Sequence, residues 1–428
     1  MKKFNLKKVL SLVLCMLLLT SALLLTGCGT SRYDKGEEDD QGLVYYLTQD
    51  KSAYSVKVTG GNIATDVVIP SEFNGKPVTI LDAASNLDSY VLGEKSLSIP
   101  DSITMLGCYG VRSPIDSYID ENGSLDGISS KLAKNVVAHN GSIYMGNESN
   151  PYLMLVYSCD EDYSTHSGTK LIADMAFDEN VRSIDVSEEV VYIHTGAFRG
   201  IYCDTVRDEA SGMSVYNGVK ISVDENNQNY KTANNMLVNK DATKVIYCTL
   251  DLVTAVPETV KYFETDAISA SNISAYREAL ISMEMASFDA PLYLPKGDNE
   301  HAVLLYAPEG STISDKVEII APGAMVDFAT VTIPESVVQI MKGAFSSFTL
   351  TSATVTTTGW YAADKYADGY GYDLGYVYAP DEKTTIFPKT GDNEKMAKYT
   401  KGWSDPAVAA NAISGYDRGT SDWCRPVD

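Results

Sequence analysis

"VTIPESVVQIMKGAF", Val331 to Phe345, repeats in type a string the chain has already used at "IDVSEEVVYIHTGAF", Ile184 to Phe198. Each runs an apolar pair into a stop, adds two further apolar positions and an Ile, and ends on Ala before Phe. "LSIPDSITMLGCYGV" (Leu97 to Val111) and "AVPETVKYFETDAI" (Ala255 to Ile268) follow the same order, and "KLIADMAF" (Lys170 to Phe177) and "VEIIAPGAM" (Val317 to Met325) carry its second half. Phe177 to Phe198 is 21 residues and Met325 to Phe345 is 20. A repeat of about 20 to 23 residues cannot close a core alone, so neighbouring copies must stack and share one.

The pattern assigns parts within each copy. Val331 and Ile333 alternate as the inward face of a short strand, and Pro334 ends it because proline fixes φ and has no N–H for a ladder. Ile340 and Phe345 then fill the opposite wall, with Ala344 small where neighbouring coils approach. These positions read as core, not as a ligand groove. A second recurring element, "ISVDENNQNYKTANNMLVNKDATKVIYC" (Ile221 to Cys248), is echoed at "NGSIYMGNESNPYLMLVYSC" (Asn140 to Cys159) and "AVLLYAP" (Ala302 to Pro308). Tyr157, Tyr247 and Tyr306 each follow two apolar residues, which predicts strands of hairpin insertions with "DENNQN" and "GNESNP" as their turns.

The 428 residues are 44% apolar and 21% charged, an ordinary globular balance. The N-terminus has four lysines, an apolar run from Val9 to Leu25, and then Leu25, Thr26, Gly27 and Cys28. This is a secretory signal whose end has the form of a bacterial lipobox, with Cys28 as the expected lipidation site and Leu25, Thr26 and Gly27 as the peptidase recognition residues. Two acyl chains anchor far more firmly than one. Loss of residues 1–27 removes four lysines and no acid, taking the net charge from −23 to −27. So acidic a surface repels phosphate backbones, and no nucleic-acid partner is expected. Residues 28–42, with acids from Glu37 to Asp40, read as a flexible tether. Cys108, Cys159, Cys203, Cys248 and Cys424 remain, odd in number and without a C-x-x-C, which indicates neither a disulfide framework nor a zinc site.

Together "VVIPSEFNGKPVTIL" (Val67 to Leu81), "VTIPESVVQIMKGAF", "VDENNQNYKTANNMLVNKDATKVIYC" (Val223 to Cys248) and "NGSIYMGNESNPYLMLV" (Asn140 to Val156) resemble the BspA-like leucine-rich repeat proteins of bacterial cell surfaces, over roughly residues 43–360. The resemblance implies a mainly β fold with some α: a right-handed leucine-rich-repeat solenoid of short parallel strands, interrupted by β-hairpin insertions and serving adhesion or protein interaction. The chain departs from the pattern where Ser187 stands for the stop proline, where Ser85 and Val111 replace the aromatic, and over 112–132, 201–219 and 268–296, which match nothing.

No G-x-S-x-G elbow, H-E-x-x-H or P-loop occurs, and His139, His166, His194 and His301 are far apart in sequence. His194 holds a repeat position taken elsewhere by Met341 and Gly107, which marks it as a coil residue. "DENNQN" offers oxygens in succession but lacks the glycine and distal glutamate of an EF-hand loop, so it reads as a solvated turn. No metal or cofactor is expected. The segment 356–428 reads as a Tyr-rich cap and tail, in which Trp360, Tyr370, Tyr372, Tyr376 and Tyr378 are tentative binding residues. The expected organisation is a signal peptide over 1–27, a lipidated tether over 28–42, a degenerate solenoid over 43–355 and the cap. The expected function is that of a lipid-anchored, non-enzymatic protein on the outer face of a bacterial membrane, binding a protein or host-matrix partner. A carbohydrate-binding lipoprotein using the Tyr-rich segment is the alternative, and a surface hydrolase stands third.

Overall fold

The computed structural model describes residues 36–344, apart from 107–127 and several shorter stretches, and beyond them only short strands at 352–355, 361–363, 376–378, 384–386, 416–417 and 425–426. The described chain is mainly β, with one substantial helix, Ala270–Ser282.

Parallel ladders join strands one repeat apart. Met154–Ser158 pairs with Leu171–Ile172, which pairs with Tyr192–Ile193 in the register Leu171↔Tyr192. Asn299–Tyr306, Ile319–Ile320 and Gln339–Ile340 form a second series, with Ile319↔Gln339. These rungs are 21 and 20 residues apart, as the spacing of the repeats requires. Lys244–Cys248 with Tyr262–Phe263, and Tyr54–Val58 with Lys76–Ala83 and Met105–Leu106, complete the set. The strands before the stop position make ladders of their own: Val67↔Leu97, Ile184↔Ile221 and Val331↔Ala353, all parallel.

The turns recur as well. Ile103 N–H donates to Pro100 O at 3.1 Å, Val260 N–H to Pro257 O at 3.0 Å and Val337 N–H to Pro334 O at 3.2 Å. Val190 N–H makes the same bond to Ser187 O at 3.4 Å, so serine closes this turn in the place of proline. At the far end of five described repeats the alanine carbonyl accepts from the preceding repeat: Ser158 N–H to Ala176 O (2.6 Å), Phe177 to Ala197 (3.2 Å), Cys248 to Ala267 (2.7 Å), Ala307 to Ala324 (2.8 Å) and Met325 to Ala344 (2.9 Å). Those five alanines are buried. A larger side chain there would hold the backbones apart, and Gly200 meets the same constraint, since a Cβ on it would sit 2.2 Å from Phe177 O.

The hairpins differ from the expected insertions. Four of them, Val44–Leu47 with Tyr54–Val58, Ser142–Met145 with Met154–Ser158, Met236–Asn239 with Lys244–Cys248 and Leu292–Lys296 with Asn299–Tyr306, each end in a strand that is also the first rung of a parallel series. Each series therefore grows from a hairpin. Asn140–Gly141 and Asn234–Asn235, all four at positive φ, turn tight antiparallel connections in two of these units. "DENNQN" joins Lys220–Val223 to Tyr230–Ala233 and is not a hairpin turn. Side chains carry the joins between series. Ile193 N–H donates to Tyr230 Oη at 2.9 Å, and the Gln339 carboxamide accepts from Phe263 N and donates to Phe263 O, both at 2.9 Å, replacing a missing rung.

Ile184, Val186, Val190, Ile193, Ala197 and Phe198 of the earlier string are all buried, as are Val337, Met341 and Ala344 of the later one. The side chains of Val331, Ile333 and Ile340, and residue 345, lie outside what is described. Phe198 stacks between Phe177 (centroids 5.5 Å) and Tyr247 (4.4 Å), so aromatic rings run along the core from one series to the next. Within the stretch read as tether, Glu37–Glu38 pairs with Val44 and Tyr45, while Asp39 accepts from the N–H groups of Gln41 and Leu43 and from Tyr45 Oη.

Candidate functional site

Two of the stretches that match no repeat fold against each other. Residues 201–219 form an antiparallel hairpin, Asp204–Arg207 with Ser214–Asn217, and residues 268–296 hold the helix Ala270–Ser282. Ser269 caps the helix by accepting from Asn272 N at 3.1 Å. Asn272, buried inside the first turn, accepts from Cys203 N (3.2 Å) and donates to Tyr247 Oη (3.4 Å), fixing the helix to the coil below. Tyr276 meets Tyr216 edge to face at 5.6 Å and donates its hydroxyl to Asp251 O. Ser214 N–H donates to Ser282 Oγ at 3.0 Å, so the hairpin is bonded to the end of the helix. Arg277 lies over the Tyr306 ring at 3.4 Å with Phe288 beyond it at 5.2 Å.

The unit exposes several large apolar side chains among polar ones such as Arg207, Asp208 and Glu209. Val206 and Val215 are cross-strand partners and exposed, Val206 by 52%. Tyr202, Met213, Met285 and Phe288 (59%) are exposed around the same unit, and among the described residues only Val68 is a large exposed apolar side chain elsewhere. The hairpin tip is stiffened by Asp208, which accepts from Ser211 Oγ and from the N–H groups of Ala210 and Ser211; these bonds hold its carboxyl below the usual range, the Ser211 hydroxyl contributing most. A stiff hairpin with solvated Val and Met side chains is suited to a second macromolecular surface, since such an area gains from leaving water.

A row of polar side chains, buried at His194, Asp174 and Glu264 and partly exposed at Arg199, Asp266 and Lys244, links neighbouring repeats. His194 is buried, with Nδ1 3.4 Å from Asp174 Oδ1 and accepting the Gly196 N–H at 3.1 Å. Arg199 bridges Asp174 (3.4 Å) to Asp266 (2.5 Å) across two coils. Lys244 pairs with buried Glu264 at 2.5 Å. Burial pushes Glu264 up, although Lys244 pulls it the other way. Burial acts downward on Lys244 and is the largest single influence, yet the Glu264 charge and hydrogen bond, with Tyr262 and Tyr230, together outweigh it and hold the ammonium above its usual range. Glu264 is the deeper partner, 4% exposed against 28% for Lys244. His194 is sealed at 1% exposure, and the row ties neighbouring repeats to one another.

Two of the other histidines converge where sequence distance hid it. His139 and His166 lie 5.1 Å apart edge to face, and Tyr152 stacks on His166 at 3.5 Å. His301 stacks on Tyr293 and its Nδ1 meets Ser314 Oγ at 3.0 Å, on the exposed surface and with no described carboxylate bonded to the ring. Among the described residues no group of three or more His, Cys, Asp or Glu could hold a metal ion. The "DENNQN" turn is no open oxygen site. Asn227 is fully buried, its Nδ2 donating to Ser187 O (2.7 Å) and Val190 O (3.1 Å) while Oδ1 accepts from Asn229 N and Tyr230 N (both 2.8 Å). The Lys240 ammonium already lies on the Glu225 and Asn227 carbonyls. Asn147 in "GNESNP" repeats the plug, donating to Ile99 O and accepting from Ser149 N and Asn150 N.

Of the residues singled out in the sequence, Tyr376 and Tyr378 lie in a strand paired with Tyr361–Ala363. Trp360, Tyr370, Tyr372 and Leu25, Thr26, Gly27 and Cys28 lie outside the described residues. Among the described residues no helix is long and apolar enough to cross a membrane. Cys203 and Cys248 are buried thiols and Cys159 is half-buried.

No family model matches the chain, and no curated protein does. Among solved structures, a leucine-rich repeat protein from Eubacterium ventriosum is 14% identical, over 77% of this chain and 75% of its own, with a TM-score of 0.26. The pneumococcal vaccine antigen PcpA is 13% identical over 77% of this chain and 84% of its own, at 0.28. A leucine-rich cell surface protein from Faecalibacterium prausnitzii is 14% identical over 73% and 86%, at 0.21.

Proposed function

We propose that the chain is a lipid-anchored protein of the outer bacterial surface, that its coils form an interrupted right-handed solenoid, and that its work is to bind a protein partner in adhesion. The observation that supports this most is the unit of hairpin and helix. Two stretches foreign to the repeat pack on one another and leave Val206, Met213, Val215, Met285 and Phe288 in water. Core side chains elsewhere are covered, so this exposure is local and expensive unless a partner covers it. The coils supply rigidity, the unit supplies the contact, and lipid on Cys28 with the sequence from Leu25 to Gly27 supplies the anchor.

The test compares the wild-type protein with the triple variant Val206→Ser, Met213→Ser, Val215→Ser in binding to immobilised extracellular-matrix proteins and host-cell surfaces. These side chains are already solvated, so circular dichroism should be unchanged while binding falls by about tenfold or more. Equal binding by both proteins sends the contact elsewhere on the chain. For the anchor, cells fed labelled palmitate should label the wild-type chain and not Cys28→Ala; equal labelling contradicts it.

A further inference from the structure

Lys296 and Asn299 face one another across the turn between Leu292–Lys296 and Asn299–Tyr306, in the register Lys296↔Asn299. Gly297, at φ +53°, supplies the left-handed residue that this turn needs. Directly opposed residues carry their Cβ atoms on one face, about 4.5–5.5 Å apart. Glu318, just before the next rung, reaches both side chains: Oε2 lies 2.5 Å from Lys296 Nζ, and Oε1 accepts from Asn299 Nδ2 at 3.3 Å. The carboxamide is fixed at its remaining positions too. Nδ2 donates to Lys316 O at 2.8 Å, and Oδ1 accepts the His301 N–H at 3.0 Å. The Lys296 and Glu318 side chains are only 15% and 29% exposed.

An amine, a carboxamide polarised by a backbone N–H, and one carboxylate touching both are the groups that amide exchange between side chains requires. We propose that Lys296 and Asn299 become joined by a side-chain amide bond, with Glu318 moving the protons. Glu318 Oε2 takes a proton from the Lys296 ammonium, and the neutral amine attacks Asn299 Cγ while the His301 N–H steadies the oxygen on Oδ1. The Nζ–Cγ bond forms, a second proton passes from Nζ through Glu318 to Nδ2, and the Cγ–Nδ2 bond breaks. The departing ammonia carries off the proton first taken, so ammonium plus carboxamide becomes amide plus ammonium with no change of oxidation state. Holding the groups side by side supplies most of the acceleration that such a sluggish exchange needs. The buried pair Lys244 and Glu264 has no carboxamide bonded to its carboxylate, which singles out the corner at Lys296. The product would lock the hairpin from which the last parallel series grows.

The test is a tryptic digest of the full-length protein read by mass spectrometry. Lys296 is the only trypsin site between Arg277 and Lys316. A joined Lys296 resists trypsin, so residues 278–316 should appear as one peptide, lighter than its sequence mass by one ammonia. Separate peptides 278–296 and 297–316 at their sequence masses overturn the proposal, as does ammonia loss confined to 297–316, which is the mark of a succinimide at Asn299. Lys296→Arg should restore cleavage at 296 and the full mass; a lighter 278–316 peptide in that variant overturns the assignment. Glu318→Gln keeps a hydrogen-bonding side chain but cannot accept the proton, and the joined peptide should be lost. Wild-type yield in Glu318→Gln removes Glu318 from the chemistry.

Discussion

Asn227→Ala tests the plug that ties the chain returning from the unmatched stretch to the coil beneath. The Asn227 side chain is fully buried and makes four hydrogen bonds, to Ser187 O, Val190 O, Asn229 N and Tyr230 N. Alanine removes all four. Val190 O keeps a second donor, Asn229 Nδ2 at 3.3 Å, and Ser187 O keeps the Val190 N–H at 3.4 Å, so two backbone N–H groups, of Asn229 and Tyr230, are stranded. At about 1–1.5 kcal/mol for each, the loss is about 2–3 kcal/mol. Stacked repeats need not unfold in one step. The assay is therefore native-state hydrogen exchange at the Asn229 and Tyr230 amides together with urea unfolding. Asn227→Asp sharpens it, because the acceptor survives while a carboxylate is pressed on two carbonyls; it should be at least as damaging as alanine. A loss below about 1 kcal/mol in Asn227→Ala, or a harmless Asn227→Asp at neutral pH, refutes the reasoning.

Phe198→Ala should cost about 3–5 kcal/mol, because it opens the ring stack between Phe177 and Tyr247; urea unfolding measures it. Gln339→Met keeps the volume but strands Phe263 N and O, and should cost about 2–3 kcal/mol with faster exchange at the Phe263 amide. Lys244→Met leaves Glu264 buried without its cation and should cost about 3–5 kcal/mol at neutral pH. Glu264 has a raised folded pKa, so its protonated form is favoured by folding below its ordinary range and that support is lost as pH rises through the folded value. The penalty of Lys244→Met should accordingly shrink on acidification through that window, and a penalty independent of pH contradicts the pairing.

The repeat was legible because it obeys simple constraints: alternation before the stop, a proline or serine that closes a turn, and an alanine where two backbones meet. Ser187 departs from the proline of the string, yet its carbonyl accepts the Val190 N–H as the proline carbonyls accept in the other copies, because the bond needs only a carbonyl there. The hairpins were legible as strands but not as the start of each ladder, because pairing partners outside a strand leave no local mark. The role of Asn227 was hidden for the same reason: a buried plug and a solvated turn share one composition. Convergence of 201–219 with 268–296, of His139 with His166, and of Lys296 and Asn299 with Glu318 depends on the order in which coils stack. No window of sequence contains that order.

The central claim is that coils about 20 residues long hang from one another through recurring backbone bonds and carry the apolar unit as their contact. Amide exchange at Ala173, His194, Glu264, Ala321 and Met341, which donate to Leu155, Ile172, Val245, Leu304 and Ile320 of the preceding coil, tests the scaffold directly. Slow exchange at all five, with much faster exchange at the solvated tip of the hairpin near Asp208, is the predicted result. Exchange of those five amides at the rate of unstructured chain contradicts it.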